Sequence, residues 1–246
     1  MNTNRKTAIK ESTMKITASN LIRWAGLSAM VAGLCFIIIG MFHPLNILSS
    51  VATAQWRIVH ILATAMGFFG LFGLTGIYAR QAEKSGWPGL AGYILLSFWL
   101  VNLAHFTFIE AFVLPPLVTK APTVVESFLG IFTKSAGEIN LGALSMIYDL
   151  NGFIGYMIGG VLFGIATFRS RVLPRWAGGL LAIGAMLVPL AAMLPPVHEA
   201  KVTLPGGFAL VWLGYSLWAE RRQRAMAPVP DRVSSGSTQP EASKVV

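Results

Sequence analysis

The chain is 246 residues long, 54% hydrophobic and only 12% charged, with a formal net charge of +9. A soluble globular domain carries about 25% charged residues, so the composition excludes an ordinary soluble fold. At about 20 apolar residues per bilayer crossing, the length allows six crossings, two tails and no separate soluble domain.

Residues 1–20 form a polar, basic segment, after which apolar runs recur at about 24–42, 58–78, 88–113, 144–168, 176–194 and 204–218. His43-Pro44 ends the first run, Trp56-Arg57 precedes the second, and Trp87-Pro88 opens the third, which Pro115-Pro116 stops. The single cysteine, Cys35, lies within the first run, which excludes an intrachain disulfide and a cysteine-rich metal centre. Ala52-Thr53-Ala54 has the small-x-small form of a signal-peptidase site, but the first apolar stretch exceeds the about 7–15 residues of a signal peptide, so an uncleaved span is expected. The sixth run, at about 15 residues, is shorter than the about 17 of the usual lower limit. The sequence thus predicts an all-α, polytopic bundle of six transmembrane spans over 21–224.

Between the third and fourth runs, residues 117–143 form the only long loop. Thr123-x-x-Glu126 fits a capping box, and Val124, Val125, Phe128, Ile131 and Phe132 follow at helix-face spacing. That pattern predicts an amphipathic helix at the outer interface, anchoring the surface or lidding a pocket. The Pro- and Ser-bearing tail 225–246 reads as disordered and cytoplasmic.

Lysine and arginine are enriched in cytoplasmic loops. Of the nineteen, fifteen fall on one set of segments: the N-terminal segment through Arg23, then Arg80 and Lys84, then Arg169, Arg171 and Arg175, then Arg221 onwards. Arg57, Lys120, Lys134 and Lys201 occupy the alternate segments. The split predicts both termini inside a bacterial cytoplasmic membrane and supports the short sixth span. Because the cations do not share one solvated face, nucleic acid is excluded as a partner. The partners expected are the lipid bilayer and either a small amphiphile or another membrane protein.

Arg23-Trp24-Ala25-Gly26 recurs as Arg175-Trp176-Ala177-Gly178, with a looser echo at Trp87-Pro88-Gly89. Three repeated hairpins in one orientation are one reading, and recurrent interfacial Trp and packing Gly are the other. Glycines cluster in the second and fourth runs, at Gly67, Gly70, Gly73 and Gly76 and at Gly152, Gly155, Gly159, Gly160 and Gly164. Close helix packing explains such clusters, and a flat cofactor or lipid lying against them is the alternative.

Ionisable groups at membrane depth are costly and mark candidate sites. At about 1.5 Å of rise per residue, His43, His60, His105, Glu110 and Asp149 converge on the outer interface, while the spans below carry no charged side chain or histidine. A charge-coupled transporter would normally place such groups near the midplane. Three chemistries fit the outer layer. Arg57, His60, Asn102, His105, Glu110 and Asp149 could line a pocket for a small amphiphile or cofactor. His43, His60 and His105 could hold zinc, with Glu110 or Asp149 as base, in a hydrolytic centre. His60 and His105 could ligate haem, with Gly67 and Gly70 leaving space below. No His-x-x-x-His, His-Glu-x-x-His, Gly-x-Ser-x-Gly or phosphate-loop pattern selects among them. A third class of function, an accessory subunit packing its glycine faces on another membrane protein, needs no site.

Overall fold

The computed structural model describes residues 17–226 apart from 136. Most of the basic segment 1–20 and all but the start of the tail 225–246 lie outside the described residues, and so do the readings made of them. The described residues are helical, with no strand among them. The main helices are α1 (Ala18–Phe42), α2 (Ala54–Leu117), α3 (Pro122–Thr133), α4 (Leu144–Ser170), α5 (Arg175–Met186) and α6 (Leu204–Met226). Four stretches, Asn20–Phe42, Ala54–Leu117, Leu144–Ser170 and Pro196–Ala219, are long and apolar enough to cross a membrane by length and composition.

Hydroxyl caps set two of the starts. Thr17 accepts the Asn20 N–H at 3.2 Å to begin α1, and Thr53 accepts the Trp56 N–H at 3.1 Å to begin α2. The second and third predicted runs belong to one 64-residue helix rather than two helices joined by a loop. Gly86 breaks it, at φ 59° and ψ −163°, a conformation that a residue with a Cβ avoids. Pro88 follows where it costs little, in the first turn of the renewed helix. The break folds α2 back on itself: the Tyr78 and Tyr93 rings stack at 4.6 Å, and the Thr64 and Thr107 hydroxyls meet at 3.0 Å.

The fifth predicted run, 176–194, is not one helix. α5 ends at Met186, and a single turn, Val188–Ala191, follows before the chain reaches Pro195. Pro189 has no N–H, and its ring would clash with the carbonyl of Ala185, so the helix cannot continue through it. The sixth run, by contrast, extends well past its predicted end, to Met226.

Glycine close approaches join these helices into a ring. In lipid, apolar side chains gain nothing by leaving a medium as apolar as themselves, so contact rests on backbones packing closely. A Cβ built on Gly67 would lie 2.7 Å from Ala104 of the returning arm, one on Gly159 2.8 Å from Leu95, and one on Gly164 2.6 Å from the Ala182 nitrogen. One on Gly184 would lie 2.8 Å from the Gly206 nitrogen, and one on Gly33 2.6 Å from the Gly207 carbonyl, which closes the ring from α6 to α1. These glycines pack against other helices of the same chain, as the packing reading predicts. The two Arg-Trp-Ala-Gly segments sit alike: Trp24 and Trp176 are exposed, Ala25 and Ala177 are buried, and Gly26 and Gly178 each press on a glycine carbonyl of another helix.

Inside the ring, Phe36, Met66, Leu74, Trp99, Tyr156, Phe163, Leu181 and Leu213 form the main core. The outward faces carry Phe68, Phe72, Phe98, Phe153 and Ile183, an apolar belt compatible with lipid contact. A second core at the end bearing the histidines gathers Val51, Trp56, Phe106 and Leu114 under Val125, Phe128, Leu129 and Ile131 of α3. The predicted loop helix therefore exists, but it is packed onto the bundle and its start differs. Ala121 is the cap residue, with no side-chain bond, and Pro122 occupies the first turn. Thr123 thus lies inside the helix, where its carbonyl accepts from Ser127, and the capping box does not form.

Candidate functional site

The histidine end is built around one residue, His60, whose ring is enclosed on three sides. Its Nδ1 lies 2.7 Å from the Trp56 carbonyl, one turn back on the same helix. A carbonyl can only accept, so Nδ1 carries hydrogen. The Trp56 indole lies over the imidazole with centroids 4.1 Å apart, and the His43 ring meets it edge-on at 5.2 Å. On the remaining side His60 Nε2 faces Glu110 Oε1 at 3.5 Å, with the two side chains only 2% and 6% exposed.

At this distance His60 Nε2 has no hydrogen-bond partner, so the contact is a close approach of two buried polar groups, which becomes an ion pair when the ring is an imidazolium. His43 Nδ1 bonds the Pro44 carbonyl at 2.7 Å, so this ring too keeps its hydrogen on Nδ1. Burial pushes the pKa of His43 below its ordinary value, and the neighbouring His60 acts in the same direction.

Glu110 owes its position to a π-helical turn, Ile109–Val113. Within it the Leu114 N–H bonds the carbonyl of Ile109, five residues back. The Glu110 carbonyl therefore loses its usual partner four residues on, and the residue five on is Pro115, which has no N–H. The Trp56 indole supplies the missing donor, Nε1 to O at 2.8 Å. Single π turns inside α-helices recur at functional sites.

The other predicted site residues do not join this cluster. His105 is exposed, in one stripe with Val101, Phe108 and Phe112 on the outer face of α2. Arg57 is exposed in the first turn of α2. Asn102 is half-buried and turns its amide back to the Phe98 carbonyl at 3.0 Å. Asp149 is exposed and pairs with Lys134 just past the end of α3. Counting residues addresses position along a helix but not azimuth, and His105 shows the difference.

The geometry does not bring together the ligands that the haem and zinc readings need. His60 gives Nδ1 to the Trp56 carbonyl and has a face covered by Trp56, and its free Nε2 lies toward Glu110, while His105 is exposed. A Cβ on Gly67 or Gly70 would already collide with Ala104 or Leu100, so these glycines leave no room for a macrocycle. Among the described residues, no group of three or more His, Cys, Asp or Glu is placed to hold a metal ion.

α3 covers the histidine end as the lid alternative for the loop helix expected, while sequence reasoning missed two parts of the site, Trp56 as a hydrogen-bonding member and the π turn. The signal for the last was present, since a buried carboxylate five residues before Pro115-Pro116 sits where the α-helical ladder must fail. Also missed was a groove of about 540 Å³ between α1 and the first arm of α2, lined by Ile38, Phe42, Gln55, Ile58, Val59 and Leu62. Its walls are apolar except at Gln55, which donates to the Phe42 carbonyl at 2.9 Å. Phe42 and Val59 are the chain neighbours of His43 and His60, so the groove opens beside the histidine cluster. No protein-family model, curated protein or solved structure matches the chain.

Proposed function

We propose that this chain is a six-crossing protein of a bacterial cytoplasmic membrane, with both termini inside, that binds a small amphiphile at its outer end. The break at Gly86 supports counting α2 as two crossings, and α5 with its following turns supplies the crossing that its length alone does not. The shared setting of the two Arg-Trp-Ala-Gly segments supports the repeated-hairpin reading.

The observation that carries the binding reading is the groove itself. Ile38, Phe42, Ile58, Val59 and Leu62 offer an apolar trough, and Gln55 offers a hydrogen-bonding group at the upper end. Its volume lies within the about 300–1,000 Å³ of small-molecule sites. An aliphatic tail would lie along the trough with a hydrogen-bonding head at Gln55. His60 and Glu110 face each other behind Val59, so this site differs from the pocket that the sequence predicted: none of Arg57, Asn102, His105 and Asp149 lines the groove.

The test is photolabelling in nanodiscs with a single-chain amphiphile bearing a diazirine in its tail. Labelled peptides should concentrate on 38–62, and Val59→Trp, which fills the trough, should cut labelling there about tenfold, the effect of about 1.4 kcal/mol. Labelling spread evenly over the outward faces at Phe68 and Phe153 would reject the site.

A further inference from the structure

The opposite end of the bundle carries a second groove, of about 480 Å³, with a different chemistry. Ile22 of α1, Ala79, Arg80, Gln81, Glu83 and Lys84 of α2, and Arg171 and Val172 after α4 line it. Three cations and one carboxylate thus face one space, and they come from two connections far apart in sequence.

A buried hydrogen-bonded frame holds them together. Gln81 donates from Nε2 to the Thr167 hydroxyl at 2.8 Å, and its Oε1 accepts from the Ser170 hydroxyl at 3.2 Å. The Ser170 oxygen accepts in turn from the Val172 N–H at 3.4 Å. Between them Arg171 adopts a left-handed backbone, φ 53°, which few non-glycine residues take up without a local reason. The frame pins the end of α4 to α2 and so brings Arg171 to the same groove as Arg80 and Lys84. Ile22, Ala79 and Val172 give the groove apolar patches.

We propose that this groove binds the phosphate of a phosphate ester, supplied by the headgroup of an anionic phospholipid. Guanidinium groups match phosphate oxygens through paired N–H donors, and lysine adds a mobile point charge. The groove lies where apolar helices give way to polar ends, the depth of a phospholipid phosphate. The apolar patches suit the glycerol and first methylenes of a lipid better than a fully hydrated anion. Glu83 opposes the three cations, so it limits the affinity and gives the site a sign test.

The experiment uses the full chain in phosphatidylcholine nanodiscs containing a minor fraction of phosphatidylglycerol, with retained lipid counted by native mass spectrometry after release into detergent. The wild type should retain phosphatidylglycerol well above its bulk fraction. With each cation near a membrane surface worth about fivefold in binding an anionic lipid, the double variant Lys84→Gln/Arg171→Gln should lose about thirtyfold of that preference. Glu83→Gln should raise it about fivefold, an opposite change that misfolding cannot imitate. A parallel titration of glycerol 3-phosphate in lipid-free detergent distinguishes the sources: saturable binding abolished in the double variant keeps the phosphate-ester site but assigns it to a soluble ligand. Retention unchanged in the double variant, or weakened by Glu83→Gln, overturns the proposal. Failure of photolabelling at the other end would leave it untouched, since the two grooves share no residue.

Discussion

Trp56 and Glu110, 54 positions apart, are joined by an indole N–H donated to a backbone carbonyl at 2.8 Å. The bond closes a gap that the sequence itself creates. The π turn takes away one donor from that carbonyl and Pro115 withholds the next, so a buried acceptor would stand unpaired without the tryptophan. The same indole covers His60, so a single side chain touches both members of the buried His60–Glu110 contact.

Trp56→Phe tests this linkage. The replacement keeps an aromatic ring beside His60 but leaves the Glu110 carbonyl unsatisfied, at a cost of about 1–3 kcal/mol. Trp87→Phe is the control, because Trp87 is 82% exposed. Thermal unfolding in detergent should show a clear loss for the first and almost none for the second. Equal behaviour would mean that water or another donor satisfies the carbonyl.

Helix packing gives a second prediction. Gly159 lies against Leu95 so closely that a Cβ would stand 2.8 Å away, whereas one on Gly152 would meet nothing within 4 Å. Gly159→Ala should therefore destabilise the protein, and Gly152→Ala should be neutral or stabilising, because alanine restricts the unfolded chain. Equal loss at 152 and 159 would contradict the packing.

His43 provides a dependence on pH. Burial and His60 lower its pKa in the fold, so the native state favours the neutral ring while the unfolded chain binds a proton at the ordinary value. Between the lowered and ordinary values the unfolded state holds more protons, and stability contributed by neutral His43 is present above that window and falls as pH drops through it. His43→Gln should flatten the loss of thermal stability on acidification below the ordinary histidine range. A variant with the same acid slope as the wild type would show that His43 does not carry it.

How much of this was legible follows from the periodicities involved. Apolar run length located α1, α4 and α6 and the histidine end, because burial along a membrane normal depends on residue count. Azimuth depends on which stripe packs inward, and a helix apolar all round gives no moment to read it from. His60 and His105 lie at similar depths, yet one is buried and the other shares an exposed stripe with Phe108 and Phe112. The fold-back at Gly86 and the early end of α5 were marked by Gly86-Trp87-Pro88 and Pro189. The pairing of Trp56 with Glu110 depends on tertiary proximity, which no local spacing encodes.

The distribution of lysine and arginine predicts orientation. Reporter fusions after Arg80, Arg171 and Arg222 should report the cytoplasm, and one after Lys134, which follows α3, should report the outside. A cytoplasmic signal at Lys134 would invert the histidine end, and the groove beside it would then open to the inner leaflet.

The buried pair carries the sharpest prediction. Because His60 Nε2 and Glu110 Oε1 face each other in a site almost closed to solvent, removing either one alone leaves the other buried polar group without its neighbour, whereas removing both takes away the requirement together. Breaking a buried ion pair from one side costs about 3–5 kcal/mol, while replacing both members is often close to neutral. In a cycle of His60→Leu, Glu110→Leu and the double variant, the double should be far more stable than the sum of the singles implies. Glu110→Gln should be milder than Glu110→Leu, because its amide N–H can donate to Nε2 of a neutral His60. If the two single losses simply add, the 3.5 Å contact carries no coupling, and each residue is held by its own surroundings alone.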